Sequence, residues 1–169
     1  MQPASRRIYV ELFALSEGVH LMAALMHEDV YEEVRPFKER TVAEAEAQLS
    51  AFGSGELPGD QLHWAIRDRD TNFCLGSVQA TLTSTQTLHV GYRVHTQSRN
   101  KGFATEALGL VITELTHRFP TFQVLANVHP TNHASTQVLL KSKFTAIQEQ
   151  PGSISTNTEG ELTWRYIKQ

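Results

Sequence analysis

Apolar residues follow two periodicities along the chain. A period near two, or a short apolar run, predicts strands, and a period near 3.6 predicts helices. The predicted strands are residues 6–14, 61–68, 73–83, 87–95, 121–128, 143–149 and 161–168. The predicted helices are residues 16–26, 41–52, 102–118 and 132–142, with a short helix and loop between residues 27 and 40.

The order of these elements predicts the fold class. One strand is followed by helices, then by three strands joined by turns, and then by alternating helices and strands. This order predicts a mixed, mostly antiparallel sheet with helices on both faces, in an α+β fold. The sequence shows neither an internal repeat nor a linker, so residues 1–169 are expected to form a single domain.

The run Arg99-Asn100-Lys101-Gly102-Phe103-Ala104 lies between the alternating strand Leu88–His95 and the helix at 102–118. The first N–H groups of a helix have no partner inside it, and the helix dipole favours an anion there. Gly102 allows a bulky phosphate group to approach the main chain, because it has no Cβ. Arg99 and Lys101 add positive charge. The run therefore indicates a phosphate site, although an ordinary strand-to-helix turn has the same outline.

Composition narrows the class of protein. The chain has 169 residues, of which 20% are charged, and no apolar run approaches the roughly 20 residues that span a bilayer. With Cys74 as its one cysteine, it has no internal disulfide, and we expect a cytoplasmic protein without a secretory leader. The net charge is −3, with acidic side chains predominant in residues 1–60 and basic ones in residues 71–169. No basic domain predicts nucleic-acid binding, and nothing predicts membrane binding.

Three motifs resemble the GNAT superfamily of acetyl-CoA-dependent N-acetyltransferases. The run Arg99–Ala104 resembles the family's pyrophosphate loop, Arg/Gln-x-x-Gly-x-Gly/Ala. Gly91-Tyr92 resembles the Gly-Tyr of its central strand. The run Asn132–Phe144 resembles the family's Asn-x-Ala-Ser-x-x-Val-Leu-x-Lys-x-Gly-Phe, except that Lys143 replaces the glycine. The branch that these motifs resemble includes the ribosomal-protein N-terminal acetyltransferases.

The resemblance implies a GNAT-like fold and a coenzyme site. Backbone amides would hold the pyrophosphate of acetyl-CoA, and the pantetheine arm would lie beside the central strand, where the sheet splays open. A backbone N–H near Val94 would face the thioester oxygen, and Asn132 would contact a pantetheine amide, although capping of its helix also explains Asn132. The pyrophosphate-binding residues that the resemblance implies are Arg99, Asn100, Lys101, Gly102, Phe103, Ala104 and Thr105.

Two residues are candidates for proton transfer. Many relatives carry Glu at the position of His89, and a histidine near its ordinary pKa suits a general base or a water relay. Ser135 lies where this branch places a serine near the coenzyme sulfur. The tyrosine that many members use as a general acid is replaced by Leu139. The alternatives are a half-buried His89 without a role and a Ser135 that caps its helix. His95 is a weaker candidate for the base.

The leading hypothesis is transfer of an acetyl group from acetyl-CoA to a primary amine, in a protein N-terminus or a small molecule, by direct attack in a ternary complex. The alternative is a non-catalytic acyl-CoA-binding or interaction module of the same fold. A dinucleotide-binding fold is disfavoured, because the loop is not Gly-x-Gly-x-x-Gly. No metal is expected, since no cysteine or carboxylate completes a ligand set with His129 and His133. The acceptor and the choice between monomer and homodimer stay open.

Overall fold

The structure, a computed structural model, describes residues 7–13, 61–150, 153–154 and 160–168. The strands are β1 (Ile8–Phe13), β2 (Gln61–Asp68), β3 (Cys74–Ser84), β4 (Thr87–Val94), β5 (Gln123–Val128), β6 (Phe144–Ala146), β7 (Gln148–Gln150), β8 (Ser153–Ile154) and β9 (Leu162–Tyr166). The helices are α1 (Phe103–Arg118) and α2 (His133–Lys141), and a 3-10 turn covers Thr96–Ser98.

Seven strands form one mixed sheet in the order β1-β2-β3-β4-β5-β9-β6. β1 to β4 pair antiparallel, β4 and β5 pair parallel, and β9 lies antiparallel between β5 and β6. The predicted α+β class with a mostly antiparallel sheet is therefore confirmed. Both parallel crossovers, β4-α1-β5 and β5-α2-β6, run in the same direction, so the right-handed rule puts α1 and α2 on one face. The helices predicted at residues 16–26 and 41–52 lie outside the described residues.

Strand alternation assigns the residues of β4 to the two faces of the sheet. Leu88, Val90 and Val94 are buried in the core under α1. The side chains of His89 and Arg93 point to the opposite face, because successive residues of a strand alternate. The side chains of α1 that are buried in the same core are Ala107, Leu108, Val111, Ile112 and Leu115. They recur with the period near 3.6 that predicted a helix over residues 102–118.

The sheet opens between its two central strands. β4 pairs with β5 only over three residues, from Thr87↔Gln123 to His89↔Leu125. Beyond that point β4 keeps its partner β3 as far as Val94, and β5 keeps its partner β9 as far as Val128. The two strands therefore diverge and leave a gap in the sheet, which we call the splay.

The segment that follows α2 differs from the expected elements. The expected single strand over residues 143–149 is wrong, because the pairing with β9 ends at Ala146, apart from a bond from Ile147 N–H to Thr163 O at 2.9 Å, and the chain then leaves the sheet. It then forms a small hairpin of β7 and β8, in which β8 lies between the expected strands 143–149 and 161–168. Lys143 has φ of 65°, the left-handed conformation that suits the family's glycine.

In the described residues, no helix has the length and apolar character needed to cross a bilayer.

Candidate functional site

A cleft of about 630 Å³ lies on the helix-bearing face of the sheet. It is bounded by the end of β4, the loop before α1, the first turn of α1 and one side of α2. The residues that line it are Tyr92, Arg93, Val94, Ser98, Arg99, Asn100, Gly102, Phe103, Ala104, Thr105, Asn132, Ala134, Ser135, Gln137, Val138 and Lys141. Most residues expected to hold the coenzyme therefore come together in one cleft. Lys101 and His89 are not part of its lining.

The start of α1 opens into this cleft without a side-chain cap. Gly102 occupies the N-cap position in the left-handed conformation, with φ of 82°, and makes no side-chain capping bond. The first helical bond joins Glu106 N to Gly102 O at 3.1 Å. The N–H groups of Phe103, Ala104 and Thr105 therefore have no acceptor within the helix and are available to an anion.

α2 begins differently. The side-chain Oδ1 of Asn132 accepts a hydrogen bond from Ser135 N at 3.1 Å, so the expected N-cap at Asn132 is present. This cap uses the backbone of Ser135 rather than its hydroxyl. Of the two helix starts that line the cleft, the start of α1 thus offers open backbone donors.

Two arginines hold the loop before α1 in place. Arg7 donates from Nη1 to Lys101 O at 2.9 Å and pairs with Glu106, and its guanidinium lies 4.9 Å from the centroid of the Phe103 ring. Arg99 Nε donates to Val94 O at 3.1 Å, which folds its side chain back over the end of β4. These contacts link the loop to β4, to α1 and to the residue before β1. The backbone donors of the loop are therefore preorganised.

The direction of the backbone groups at the end of β4 follows from one hydrogen bond. His95 donates its N–H to Leu75 O at 2.9 Å, toward β3. Because successive N–H groups of a strand point to opposite sides, the N–H of Val94 points away from β3 and into the splay. The N–H of Tyr92 points the same way. These are the backbone donors closest to the position that the resemblance assigns to a thioester oxygen.

Tyr92 was not among the expected site residues. Its hydroxyl donates to Ser135 O at 3.0 Å, across the cleft from β4 to the first turn of α2. Burial raises the pKa of Tyr92 to about 12, so the phenol keeps its proton at neutral pH. The sequence could have indicated this role, because Tyr92 lies two residues before Val94, on the same side of the strand.

Leu139 is fully buried in the core, away from the lining of the cleft.

One side of α2 supplies further lining residues that were not expected. Ala134, Gln137, Val138 and Lys141 follow the spacing of a single helix face. This periodicity is visible in the sequence. It does not identify a ligand-facing side, because a helix face of this kind is equally typical of solvent exposure.

His89 lies away from the cleft lining, on the opposite face, at the apex of the splay. It is half-buried, and its backbone pairs with Thr81 on one side and Leu125 on the other. Desolvation by burial lowers the pKa of His89 below its ordinary value, so its imidazole is neutral at pH 7. His95, by contrast, accepts a hydrogen bond from Gln97 N at its Nδ1 and caps the 3-10 turn.

Comparisons with known proteins agree with this architecture. The structure of RimL, a ribosomal L7/L12 alpha-N-protein acetyltransferase, aligns with a TM-score of 0.62 and 13% identity over 99% of this chain and 93% of that one. The ribosomal-protein-S5-alanine acetyltransferase of Vibrio fischeri aligns with a TM-score of 0.60 and 18% identity over 96% and 92% of the two chains.

The spermidine N-acetyltransferase of Vibrio cholerae, solved with CoA and spermine, aligns with a TM-score of 0.59 and 9% identity over 95% of this chain and 94% of that one. No curated protein matches the sequence. The family described as the acetyltransferase (GNAT) domain matches residues 8–145, which is most of the chain. The chain therefore belongs to the GNAT acetyltransferase family, and its enzyme class is that of the acyltransferases.

Proposed function

We propose that this protein transfers an acetyl group from acetyl-CoA to a primary amine. The observation that carries the proposal is the uncapped start of α1, which opens into a cleft of about 630 Å³ beside the splay. A diphosphate carries the charge that unpaired N–H groups at a helix start attract. The family match over residues 8–145 supports one acetyltransferase domain along the chain.

In this proposal the coenzyme follows the cleft. Its pyrophosphate binds the backbone amides from Arg99 to Thr105, with Lys101 adding charge from outside the lining. Its pantetheine arm continues along the free edge of β4 toward Val94, whose N–H points into the splay. Asn132, at the start of α2, reaches a pantetheine amide with the side-chain N–H groups that its capping bond leaves unused.

The chemical step needs one bond to form and one to break. The amine nitrogen attacks the thioester carbon, a C–N bond forms, and the C–S bond breaks to release CoA as a thiolate, which takes up a proton from solvent. His89, neutral at pH 7, accepts the proton that the amine loses, directly or through a water molecule. The hydroxyl of Ser135 donates a hydrogen bond to the departing sulfur. Holding both reactants in one geometry supplies much of the rate gain.

The acceptor class is a primary amine in a protein N-terminus or a small molecule. Structural neighbours are described as acting on ribosomal proteins and on spermidine, which represent both kinds of acceptor. All of these acceptors present a nitrogen that carries more than one proton. The chemistry at His89 and the splay is the same for each of them.

Two measurements on the 169-residue chain test the proposal. Calorimetry with CoA and acetyl-CoA should show saturable binding. Thiol release from acetyl-CoA should accelerate when spermidine, or hexapeptides beginning with Ala or Ser, are added. The same hexapeptides with acetylated N-termini serve as controls and should give no acceleration. Coenzyme binding without turnover on any of these amines would contradict catalysis and favour a non-catalytic acyl-CoA-binding module.

A further inference from the structure

We propose that Asn127 binds the acceptor amine, with its side-chain Oδ1 accepting a hydrogen bond from the acceptor nitrogen on the face of the sheet opposite the coenzyme cleft. This inference rests on the proposed acetyl transfer and adds a residue to it. Asn127 is not among the residues that the family motifs of this chain single out.

The register of the sheet places Asn127 at the splay. It lies in β5, where its Cα partner is Thr163 of β9, and it comes two residues after Leu125, the last β5 residue that pairs with β4. Leu125 is the partner of His89, so Asn127 and His89 share one face of the sheet. Strand spacings put their Cα atoms about 8 Å apart across the mouth of the splay.

The side chain of Asn127 has an unused acceptor. Its Oδ1 is buried, and within the part of the chain that the structure describes no donor reaches it. Its neighbours Ala126 and Val128 face the other way, into the core, and are almost completely buried. A buried carboxamide oxygen without a donor costs about 1–3 kcal/mol, which a ligand N–H would recover.

In this proposal the coenzyme and the acceptor amine bind on opposite faces of the sheet. The cleft of Tyr92, Val94 and α2 lies on the helix face, and a coenzyme bound there leaves the other side of the splay as the approach for the nucleophile. On that side Asn127 and His89 flank the opening. A primary ammonium carries three protons, so one can go to His89 while another hydrogen-bonds to Asn127. The arrangement therefore suits a nitrogen acceptor with several N–H groups.

The test compares Asn127→Leu, which removes the acceptor at similar volume, with Asn127→Asp, which keeps an oxygen at the same place. The probe is the most rapidly acetylated amine among spermidine and the Ala- or Ser-hexapeptides. We expect Asn127→Leu to raise the KM for this amine by about tenfold or more, as for a lost hydrogen bond to a charged group, with the Kd for acetyl-CoA unchanged. Asn127→Asp should keep KM within about threefold of the parent value.

The matched control is Gln123→Leu. Gln123 carries the same carboxamide on the same strand and face, but it is exposed and lies at the paired end of β5. This variant should leave KM unchanged. Thermal unfolding of every variant separates a folding defect from a binding defect, and Asn127→Ala, which also lacks an acceptor, replaces Asn127→Leu if the latter does not fold.

Each remaining outcome has one meaning. An unchanged KM in Asn127→Leu, with normal turnover by the parent protein, overturns the role of Asn127 and leaves the proposed function intact. An equal rise of KM in Asn127→Asp and Asn127→Leu overturns it too, because the side chain would then act as a donor. Absence of turnover by the parent protein with every amine overturns both proposals.

Discussion

The hydroxyl of Tyr92 donates to the backbone oxygen of Ser135 at 3.0 Å, and this bond joins the two walls of the cleft. Tyr92 belongs to β4, and Ser135 lies in the first turn of α2, 43 residues later in the chain. Neither strand pairing nor helical bonding joins these two positions. The phenol therefore sets the distance between the free edge of β4 and the residues of α2 that face the proposed coenzyme.

Tyr92→Phe removes this bond and little else. We expect a loss of about 1 kcal/mol in the free energy of unfolding and a roughly fivefold weaker Kd for acetyl-CoA, because the wall of α2 is less well fixed. Denaturant unfolding and calorimetry measure the two effects. Tyr166→Phe, in β9 and outside the cleft lining, is the control and should leave the Kd unchanged. Equal affinity in Tyr92→Phe and the parent protein would show that the bond does not shape the site.

Gly102 combines an unusual conformation with open space. Its φ is 82°, and among the described residues a Cβ placed there meets only Arg7 Nη2, at 3.5 Å, an ordinary contact. Gly102→Ala should therefore cost about 1–2 kcal/mol of stability from the left-handed conformation alone. Gly102→Glu adds a carboxylate beside the N–H groups of α1 and should abolish coenzyme binding in a folded protein. Calorimetry with CoA, alongside circular dichroism, measures both.

Gly109→Ala is the control for both substitutions. Gly109 lies inside α1, and among the described residues nothing approaches the position of its Cβ within 4 Å. Replacement by Ala should raise stability by about 0.5–1 kcal/mol through helix propensity. Coenzyme affinity should be unaffected. Normal affinity in Gly102→Glu would contradict a pyrophosphate site at the start of α1.

His89 should govern the acid side of the pH–rate profile. Burial lowers its pKa, so the neutral base is present at pH 7, and kcat/KM should fall as the pH drops through that lowered value, where the imidazole becomes protonated. His89→Ala should lower kcat/KM by about a hundredfold near pH 7. The deficit should shrink toward about pH 10, where the amine loses its proton to solvent. Initial rates of thiol release across this range measure the effect.

His117→Ala is the matched histidine control. His117 lies in the last turn of α1 and is exposed. This variant should keep the parental profile at every pH. A His89→Ala profile parallel to that of the parent protein would eliminate His89 as the base, whatever the size of the rate loss.

Lys143 carries a conformational cost that can be removed. Its φ of 65° is unfavourable for a side chain with a Cβ. Lys143→Gly should stabilise the fold by about 1 kcal/mol, since the relief of strain exceeds the entropy that glycine adds to the unfolded chain. Lys141→Gly, two residues earlier in α2, should instead destabilise by up to about 1 kcal/mol. Denaturant unfolding compares the two, and a loss of stability in Lys143→Gly would contradict the assignment of strain.

Local patterns predicted much of this molecule. β4, α1 and α2 fall within one or two residues of their expected bounds, because each has a clear period and a terminal signal such as Asn132. The alternation of β4 also separated His89 from the core-facing residues. The short strands were harder to predict from the sequence, because β7 and β8 each have too few residues to show a period.

The composition of the site depended on contacts that the sequence does not display. The hydrogen bond from Tyr92 to Ser135 requires β4 and α2 to lie on the same side of the sheet. The splay requires that the pairing of β4 with β5 stop at His89, which strand patterns do not specify. Lys101 was expected beside the pyrophosphate from its place in the motif, yet its side chain is exposed outside the lining.

Arg7 connects the first strand of the sheet with the loop before α1. It precedes β1, and its guanidinium holds Lys101 O, Glu106 and the Phe103 ring, so the loop before α1 has its full set of supports only when the first strand has docked. Detachment of β1 and distortion of the loop are therefore coupled events. A ligand that binds only the intact loop suppresses fraying of β1 by mass action. Hydrogen exchange at the amides of β1 thus becomes a reporter of occupancy in a loop that lies 94 residues away along the chain.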